Sequence, residues 1–195
     1  MKKEVRILAI SDGISKRSLI RQNRAIVGVV LRGGHWLEGI MKTIIERNGC
    51  NVTSQLVRMI RSSSHFQQTR LIMTDGLALA GVNIVNIRAL HEMTNIPIIA
   101  VSRGRKEMED LSEKIKGLDR HTSRVRALKA AGQPTSLVLE PTRRRIYAYY
   151  SGLNSTDLKS IMRGFCAAET PEPIRVARII SSAFNRHLVK RVQKD

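Results

Sequence analysis

The opening of the chain, an apolar segment followed by a hairpin, limits the fold more than any other feature of the sequence. Residues 5–10 are apolar except for Arg6, which is typical of a buried strand. Two β-rich segments follow at 25–31 and 36–45, and the adjacent glycines of segment 32–35 (Arg-Gly-Gly-His) suit a tight hairpin turn. A doubly wound fold would place a helix after its first strand. The hairpin therefore favours a sheet that begins with three antiparallel strands.

The middle of the chain alternates strands with helices. Helices are predicted at 52–60 and 84–93, and Asn83 is expected to cap the second one. Apolar segments at 71–74 and 96–101 are predicted to be strands on either side of that second helix. Because a strand, a helix and a strand at this spacing form a crossover unit, these two strands are expected to be parallel.

The two patterns together predict an α/β fold of the ribonuclease H-like class. Its mixed sheet would have the strand order 3-2-1-4-5 and would be flanked by helices, with a doubly wound sheet as the main alternative. We expect a single domain over residues 1–195, with a core at about 1–104 and a C-terminal extension at about 105–195. The predicted elements of the extension are a charged helix around Glu107 with a solvated face, a helix at 122–131, a strand pair at 136–139 and 146–150, and helices at 155–165 and 174–192.

The charge of the chain points to a polyanionic partner. Lysine and arginine number 34 against 16 aspartates and glutamates, so the formal net charge is +18. These basic residues are spread over the whole sequence, which favours nucleic acid over a membrane surface as the partner. A generally basic surface is the alternative interpretation. No apolar run is long enough for a membrane span and no signal peptide opens the chain, so a cytoplasmic location is expected.

Two aspartates follow predicted strands, and both are candidate catalytic and metal-binding residues. Asp12 comes at the end of the first strand and Asp75 at the end of the fourth, and both precede a glycine. In the predicted strand order these two strands are neighbours, so the two carboxylates would lie at the same edge of the sheet. Mg²⁺ or Mn²⁺ prefers oxygen ligands of this kind. The alternative is that each aspartate only ends its strand in a turn.

Basic and turn residues near the same edge are candidate phosphate contacts. The turn before the second helix, with Gly81 and Asn83, would present free N–H groups to an anion. The end of the fifth strand carries two arginines, and a run of three more precedes Tyr147 and Tyr149, which would either stack bases or lie in the core. The basic residues of the last helix, among them Arg178, would either follow a nucleic-acid backbone or keep the helix soluble. The five candidate arginines are Arg103, Arg105, Arg143, Arg144 and Arg145.

Five segments of the chain resemble an archaeal family, the UPF0215 (DUF99) proteins. That family is similar in turn to endonuclease V, a ribonuclease H-like and magnesium-dependent nuclease that acts on nucleic acid with a deaminated base. The resemblance covers nearly the whole chain and implies that Asp75 and Asp12 hold the metal and that Arg103 contacts phosphate. The segments are 6–13 (RILAISDG), 27–34 (VGVVLRGG), 74–83 (TDGLALAGVN), 91–97 (HEMTNIP) and 171–177 (PEPIRVA).

The chain also departs from the pattern of these families. Ser11 stands where the UPF0215 proteins carry the first of two consecutive acids, and Arg103 stands where endonuclease V carries a lysine. The intermediate glutamate of the nuclease has only weak candidates here, Glu38 and Glu46. Two functions remain open: a metal-dependent endonuclease, or a nucleic-acid-binding module that kept the fold without the first acid. The sequence leaves open whether the ligand is DNA or RNA, and it also leaves open the oligomeric state.

Overall fold

A computed structural model describes residues 4–13, 22–102, 104, 106–139, 143–166 and 170–192, the last six of these by their backbone alone. The strands are β1 (Arg6–Ser11), β2 (Asn23–Arg32), β3 (Trp36–Glu46), β4 (Thr69–Thr74), β5 (Ala78–Leu79), β6 (Asn83–Ile84), β7 (Ile98–Ser102), β8 (Thr135–Leu139) and β9 (Arg144–Ser151). The helices are α1 (Val52–Arg61), α2 (Ile87–Thr94), α3 (Glu107–Lys114), α4 (His121–Ala130), α5 (Ser155–Phe165) and α6 (Glu172–Val192). A short 3-10 helix (Phe66–Gln68) leads into β4.

Seven of the strands form one mixed sheet in the order β3-β2-β1-β4-β7-β9-β8. Strands β1, β2 and β3 are antiparallel neighbours, whereas β4 lies parallel to both β1 and β7. The predicted class and the predicted order of the first five long strands are therefore confirmed, with β7 as the fifth. The hairpin between β2 and β3 is also confirmed, and Gly33 and Gly34 both take positive φ there, at 62° and 82°.

Helices cover both faces of the sheet, so its central strands are apolar on both sides. In β1, Leu8 and Ile10 pack in the core under α1 and α2, and Ile7 and Ala9 pack in the core under α5 and α6. All four side chains are fully buried. Within the described residues, no helix is both long and apolar enough to cross a membrane.

The C-terminal half of the chain completes the same sheet and the same cores. β9 pairs antiparallel with β7, and β8 pairs with the outer side of β9. Helix α6 packs across the interior strands β1 and β2. The single domain and its division near residue 104 stay predictions, although the extension supplies two strands of the central sheet.

The structure decides the roles of two residues that the sequence analysis singled out. Helix α2 begins at Ile87 and Asn86 caps it, with its side chain accepting a hydrogen bond from Ala89 N, so the prediction that Asn83 is the cap is wrong. Asn83 lies on β6, where its side chain hydrogen-bonds Val52 N at the start of α1 and Glu46 O at the end of β3. Tyr149 is fully buried because β9 is an interior strand of the sheet, so of the two alternatives for this ring the place in the core is the one observed.

Candidate functional site

The carboxyl ends of β1 and β4 meet at one edge of the sheet, and two polar side chains make contact there. The parallel register places Ile10 beside Thr74, so the residues that follow them lie next to each other. Ser11 Oγ donates a hydrogen bond of 2.9 Å to Asp75 Oδ2, and Asp75 N donates to Ile10 O at 3.0 Å. The structure therefore brings the two strand ends together as the predicted strand order requires.

Asp75 is also held by an arginine from the last helix. Arg178 Nε donates to Asp75 Oδ2 at 2.9 Å, and its Nη2 donates to Asp75 Oδ1. Both side chains are largely buried, at 13% and 17% exposure. A two-bonded pair of this kind fixes both groups in orientation as well as in charge. Each oxygen of the Asp75 carboxylate thus accepts a hydrogen bond from the Arg178 guanidinium. Oδ2 also accepts one from Ser11 Oγ.

Asp12 has a different set of partners from Asp75. Its Oδ2 accepts a hydrogen bond of 2.9 Å from Ala80 N and lies 3.6 Å from Arg24 Nε. Its main-chain oxygen accepts from Asn185 Nδ2 at 2.8 Å and from Arg24 Nη2 at 2.9 Å. Burial raises the pKa of the Asp12 carboxyl, and the Arg24 charge and the Ala80 N–H oppose that rise.

A third carboxylate, that of Glu107, reaches this edge from the start of α3. Its Oε1 accepts a hydrogen bond of 2.9 Å from Leu77 N, and its Oε2 is buried without a hydrogen-bond partner. Gly76, with φ +86°, makes the approach feasible, since a Cβ there would lie 2.6 Å from Glu107 Oε1. The prediction of a solvated face for this helix is wrong for Glu107. The sequence carried no signal for this contact beyond the glycine after Asp75.

The burial of Glu107 predicts an effect of pH on stability. Burial raises the pKa of the Glu107 carboxyl, and the nearby Asp75 charge adds to the rise. The folded protein therefore holds this proton more tightly than the unfolded chain does, so the stability that the protonated form contributes is lost as the pH rises through the raised pKa. We expect Glu107→Gln to unfold at higher urea concentration than the wild type at pH 7, with a smaller difference at pH 4.

The control for this experiment is Glu109→Gln on the exposed side of the same helix. Urea titrations of the three proteins between pH 4 and pH 8 are the measurement. A Glu107→Gln protein that loses equal stability at both ends of that range would contradict the assignment of a buried acid.

The turn between β4 and α2 already uses several of its N–H groups on the chain's own side chains. Leu77 N donates to Glu107, Ala80 N donates to Asp12, and Val82 N donates to Asn48 Oδ1 at 3.1 Å. Two carboxylates thus occupy the places that an anion would take.

Gly81 and Asn83 in this turn are packed against other parts of the chain. A Cβ on Gly81 would collide with Asn48 Oδ1. Asn83 is fully buried, with its Oδ1 accepting from Val52 N at 3.3 Å and its Nδ2 donating to Glu46 O at 3.2 Å. We therefore leave both residues out of the phosphate contacts proposed below.

The run of three arginines lies at the same edge of the sheet as Asp75. β9 runs antiparallel to β7, with Tyr147 opposite Ser102, so the start of β9 lies beyond the carboxyl end of β7. The side chains of Arg143, Arg144 and Arg145 are exposed there. Since β9 is two strands away from β4, the lateral separation is about 10 Å. Arg103 and Arg105 lie outside the described residues.

The arrangement of the acids does not fit the divalent cation expected from the sequence. Mg²⁺ requires carboxylate oxygens that face a common point, with positions left for water. Asp75 is bound on both oxygens by Arg178, and Asp12 Oδ2 is bound by Ala80 N. In the part of the chain that the structure describes, no three histidine, cysteine, aspartate or glutamate side chains are grouped as metal ligands.

Comparison with protein families identifies relatives over almost the entire chain. The model of the family described as Endonuclease dU matches residues 3–185. A UPF0215 protein of Methanosarcina mazei is 33% identical over 183 residues, which cover 93% of this chain and 91% of the relative. A UPF0215 protein of Methanothermobacter thermautotrophicus is 34% identical over 185 residues, covering 93% and 88%. The resemblance to the UPF0215 family is confirmed.

Solved structures confirm the type of fold. A protein of unknown function from Archaeoglobus fulgidus superposes with a TM-score of 0.80 at 27% identity, covering 93% of this chain and 98% of that one. Human endonuclease V superposes with a TM-score of 0.59 at 16% identity, covering 95% and 86%. Ciona intestinalis endonuclease V, solved with DNA that contains inosine, gives a TM-score of 0.61 at 14% identity, covering 95% and 87%. The fold is therefore that of endonuclease V.

Proposed function

The chain belongs to the Endonuclease dU family, and we propose that it binds nucleic acid at the shared carboxyl edge of β1, β4 and β7 and cleaves a phosphodiester bond there. The observation that carries the proposal is the contact between the ends of β1 and β4, where Ser11 bonds Asp75 and Asp12 comes next in the chain. Glu107 bonds the turn that follows Asp75, and an exposed run of arginines lies at the same edge of a chain of net charge +18. The family description and the inosine-containing DNA bound by Ciona endonuclease V suggest a strand with a deaminated base as the substrate.

The proposed chemistry is hydrolysis of the strand. A water oxygen forms a new bond to phosphorus, and a carboxylate accepts the proton of the water. The bond from phosphorus to one ester oxygen breaks, and that oxygen takes a proton from solvent and leaves as the free hydroxyl of the cleaved strand. Asp75 is our candidate for that carboxylate, and Asp12 is the second acid of the site. The phosphates of the strand are proposed to bind five arginines, namely Arg143, Arg144, Arg145, Arg103 and Arg105. The cytoplasmic location stays a prediction.

A second candidate function is binding without cleavage, and the residue that favours it is Ser11. Where the UPF0215 proteins carry an acid, this chain ends β1 in a hydroxyl that donates to Asp75. A hydroxyl is neutral at this position, so the site has one negative charge fewer than a pair of strand-end acids would supply.

The experiment that separates the two functions measures binding and cleavage on the same samples. End-labelled DNA and RNA strands with one uracil base, one hypoxanthine base or no modified base are incubated with the protein in Mg²⁺, in Mn²⁺ or in EDTA. Anisotropy reports binding, and a denaturing gel reports cleavage. Cleavage near the modified base supports the nuclease, whereas salt-sensitive binding with intact strands supports the binding module and overturns the nuclease.

The arginine run predicts a change in the salt dependence of binding. Replacing Arg144 and Arg145 together by glutamine removes two cations from the proposed interface. We expect the slope of log affinity against log salt concentration to become shallower by about 1.5, since each phosphate contact contributes about 0.7 to 0.9. Arg70→Gln is the matched control, because Arg70 is exposed near the amino end of β4, at the opposite edge of the sheet. An equal change of slope in the control would refute the placement of the interface.

A further inference from the structure

The contact between Arg178 and Asp75 has no role in the function proposed so far. Both oxygens of the Asp75 carboxylate accept hydrogen bonds from the Arg178 guanidinium, and Oδ2 accepts a further one from Ser11 Oγ. The pair bridges 103 positions of the chain, from the end of β4 to the middle of α6. A guanidinium held in this way places a positive charge where the expected divalent cation would have to bind.

The position of Arg178 is supported by the packing of its helix. Asn185, two turns further along α6, is buried and hydrogen-bonds both main-chain groups of Ala25 and the main-chain oxygen of Asp12. Gly13 also lies close to the helix, since a Cβ there would be 2.6 Å from Ser182 N. The helix is thus fixed against β1 and β2 within two turns of Arg178, and Arg178 is presented to Asp75 by an anchored element.

The neighbouring arginine on the same helix behaves differently. Arg175 pairs with Glu172 one turn earlier, through bonds of 2.7 and 2.6 Å, and its side chain is 52% exposed. That pair lies within the helix and is open to solvent, where ion pairs contribute little. Arg178, at 13% exposure, instead reaches across to a strand end.

We infer that Arg178 is the resident cation of the Asp75 site in the free protein, that it excludes a divalent metal ion there, and that it is a phosphate-binding residue released when nucleic acid binds. The inference rests on the proposed function for its last part, since a phosphate must reach the site. Phosphate oxygens offer a guanidinium the same two-bonded geometry as a carboxylate does, so a strand that enters the site can compete for Arg178. Once Arg178 has moved, the Asp75 carboxylate keeps only its hydrogen bond from Ser11 Oγ, and Oδ1 is open to a cation.

The test is binding of Mn²⁺ alone, followed by the electron paramagnetic resonance signal of the free ion. Free wild-type protein is expected to bind Mn²⁺ weakly, and Arg178→Met is expected to bind one ion at least about tenfold more tightly, since the competing charged hydrogen bonds are gone. The gain should vanish in the double variant Arg178→Met with Asp75→Asn. Arg175→Met is the matched control and should bind Mn²⁺ as the wild type does.

Further measurements check the fold of the variant and the part played by the guanidinium. Circular dichroism and urea unfolding show whether Arg178→Met is folded. Arg178→Lys keeps the positive charge but cannot make the two-bonded contact, so its gain in Mn²⁺ affinity should be smaller than that of Arg178→Met. Adding a single-stranded oligonucleotide to the wild type should raise its Mn²⁺ affinity toward that of Arg178→Met.

The outcomes separate the inference from the proposed function. Equal and tight Mn²⁺ binding by the wild type and by folded Arg178→Met would overturn the inference, whether or not the protein cleaves nucleic acid. A gain in Arg178→Met with no binding of any oligonucleotide would support the exclusion of metal by Arg178 and would reject the proposed function together with the release by phosphate.

Discussion

Replacing Asp75 by asparagine is expected to reduce cleavage about 10²- to 10⁴-fold, because a carboxylate that accepts a proton in the reaction contributes a factor of that size to the rate. The asparagine has the same shape and keeps one oxygen to accept from Arg178 Nε or Ser11 Oγ, whose distances to Asp75 Oδ2 are both 2.9 Å. The fold should therefore survive the change. Nucleic-acid affinity should stay the same or rise, because the variant has one negative charge fewer at the interface.

The measurement is a single-turnover cleavage rate with the modified strand in excess protein. Asp157→Asn is the matched control, since Asp157 is an exposed carboxylate on the first turn of α5. Cleavage by Asp75→Asn at the wild-type rate would remove Asp75 from the proposed chemistry. Binding that collapses in Asp75→Asn while the control binds normally would indicate a structural role instead.

Replacing Asn185 by alanine is expected to lower the free energy of unfolding by about 3 kcal/mol or more, since each buried polar group left without a partner costs roughly 1–3 kcal/mol. The Asn185 side chain accepts from Ala25 N at 3.0 Å and donates to Ala25 O at 2.9 Å, to Asp12 O at 2.8 Å and to Ser181 O at 3.1 Å. Alanine supplies none of these bonds. The groups on Ala25 are buried under α6, where water cannot replace the lost partner.

Urea unfolding followed by circular dichroism measures this loss. Arg186→Ala, the exposed neighbour on the same helix, is the control and should change stability by less than about 0.5 kcal/mol. Loss of α6 from β2 would also withdraw Arg178 from Asp75, so Asn185→Ala should bind Mn²⁺ more tightly than the wild type under conditions where it is folded. A loss of stability no larger than that of the control would mean that these hydrogen bonds do not hold the helix.

Much of the architecture could be predicted from local pattern. The hairpin was predicted from two glycines that accept positive φ between two β-rich segments. The order of the first five strands was then predicted from that hairpin and one crossover unit. The nearness of Asp75 to the end of β1 followed in turn, because carboxyl ends of neighbouring parallel strands share an edge. Helix starts were less certain: Asn83 and Asn86 are both good caps by type, and only the short strand pair of β5 and β6 decides between them.

The partners of the acids could not be predicted in the same way. Arg178 was one of several basic residues on the last helix, and Glu107 was one of several acids on a charged one. Nothing in their own segments distinguishes them from their exposed neighbours Arg175 and Glu109. Their contacts join residues 103 and 30 positions apart, and such contacts depend on how helices are set against the ends of strands.

The sequence by itself determined the class of fold, the basic character of the chain and the edge of the sheet at which Asp12 and Asp75 lie. These three features follow from periodicity and turn chemistry, which are properties of short segments, and from net charge, which is a sum over the charged residues. The tertiary structure alone decided that Arg178 pairs with the Asp75 carboxylate, that Asp12 bonds Ala80 and lies beside Arg24, and that the half-buried Glu107 bonds Leu77 N. The physical reason is that a charged side chain takes the partner that three-dimensional packing brings within bonding distance, and burial then decides how strongly that pairing holds.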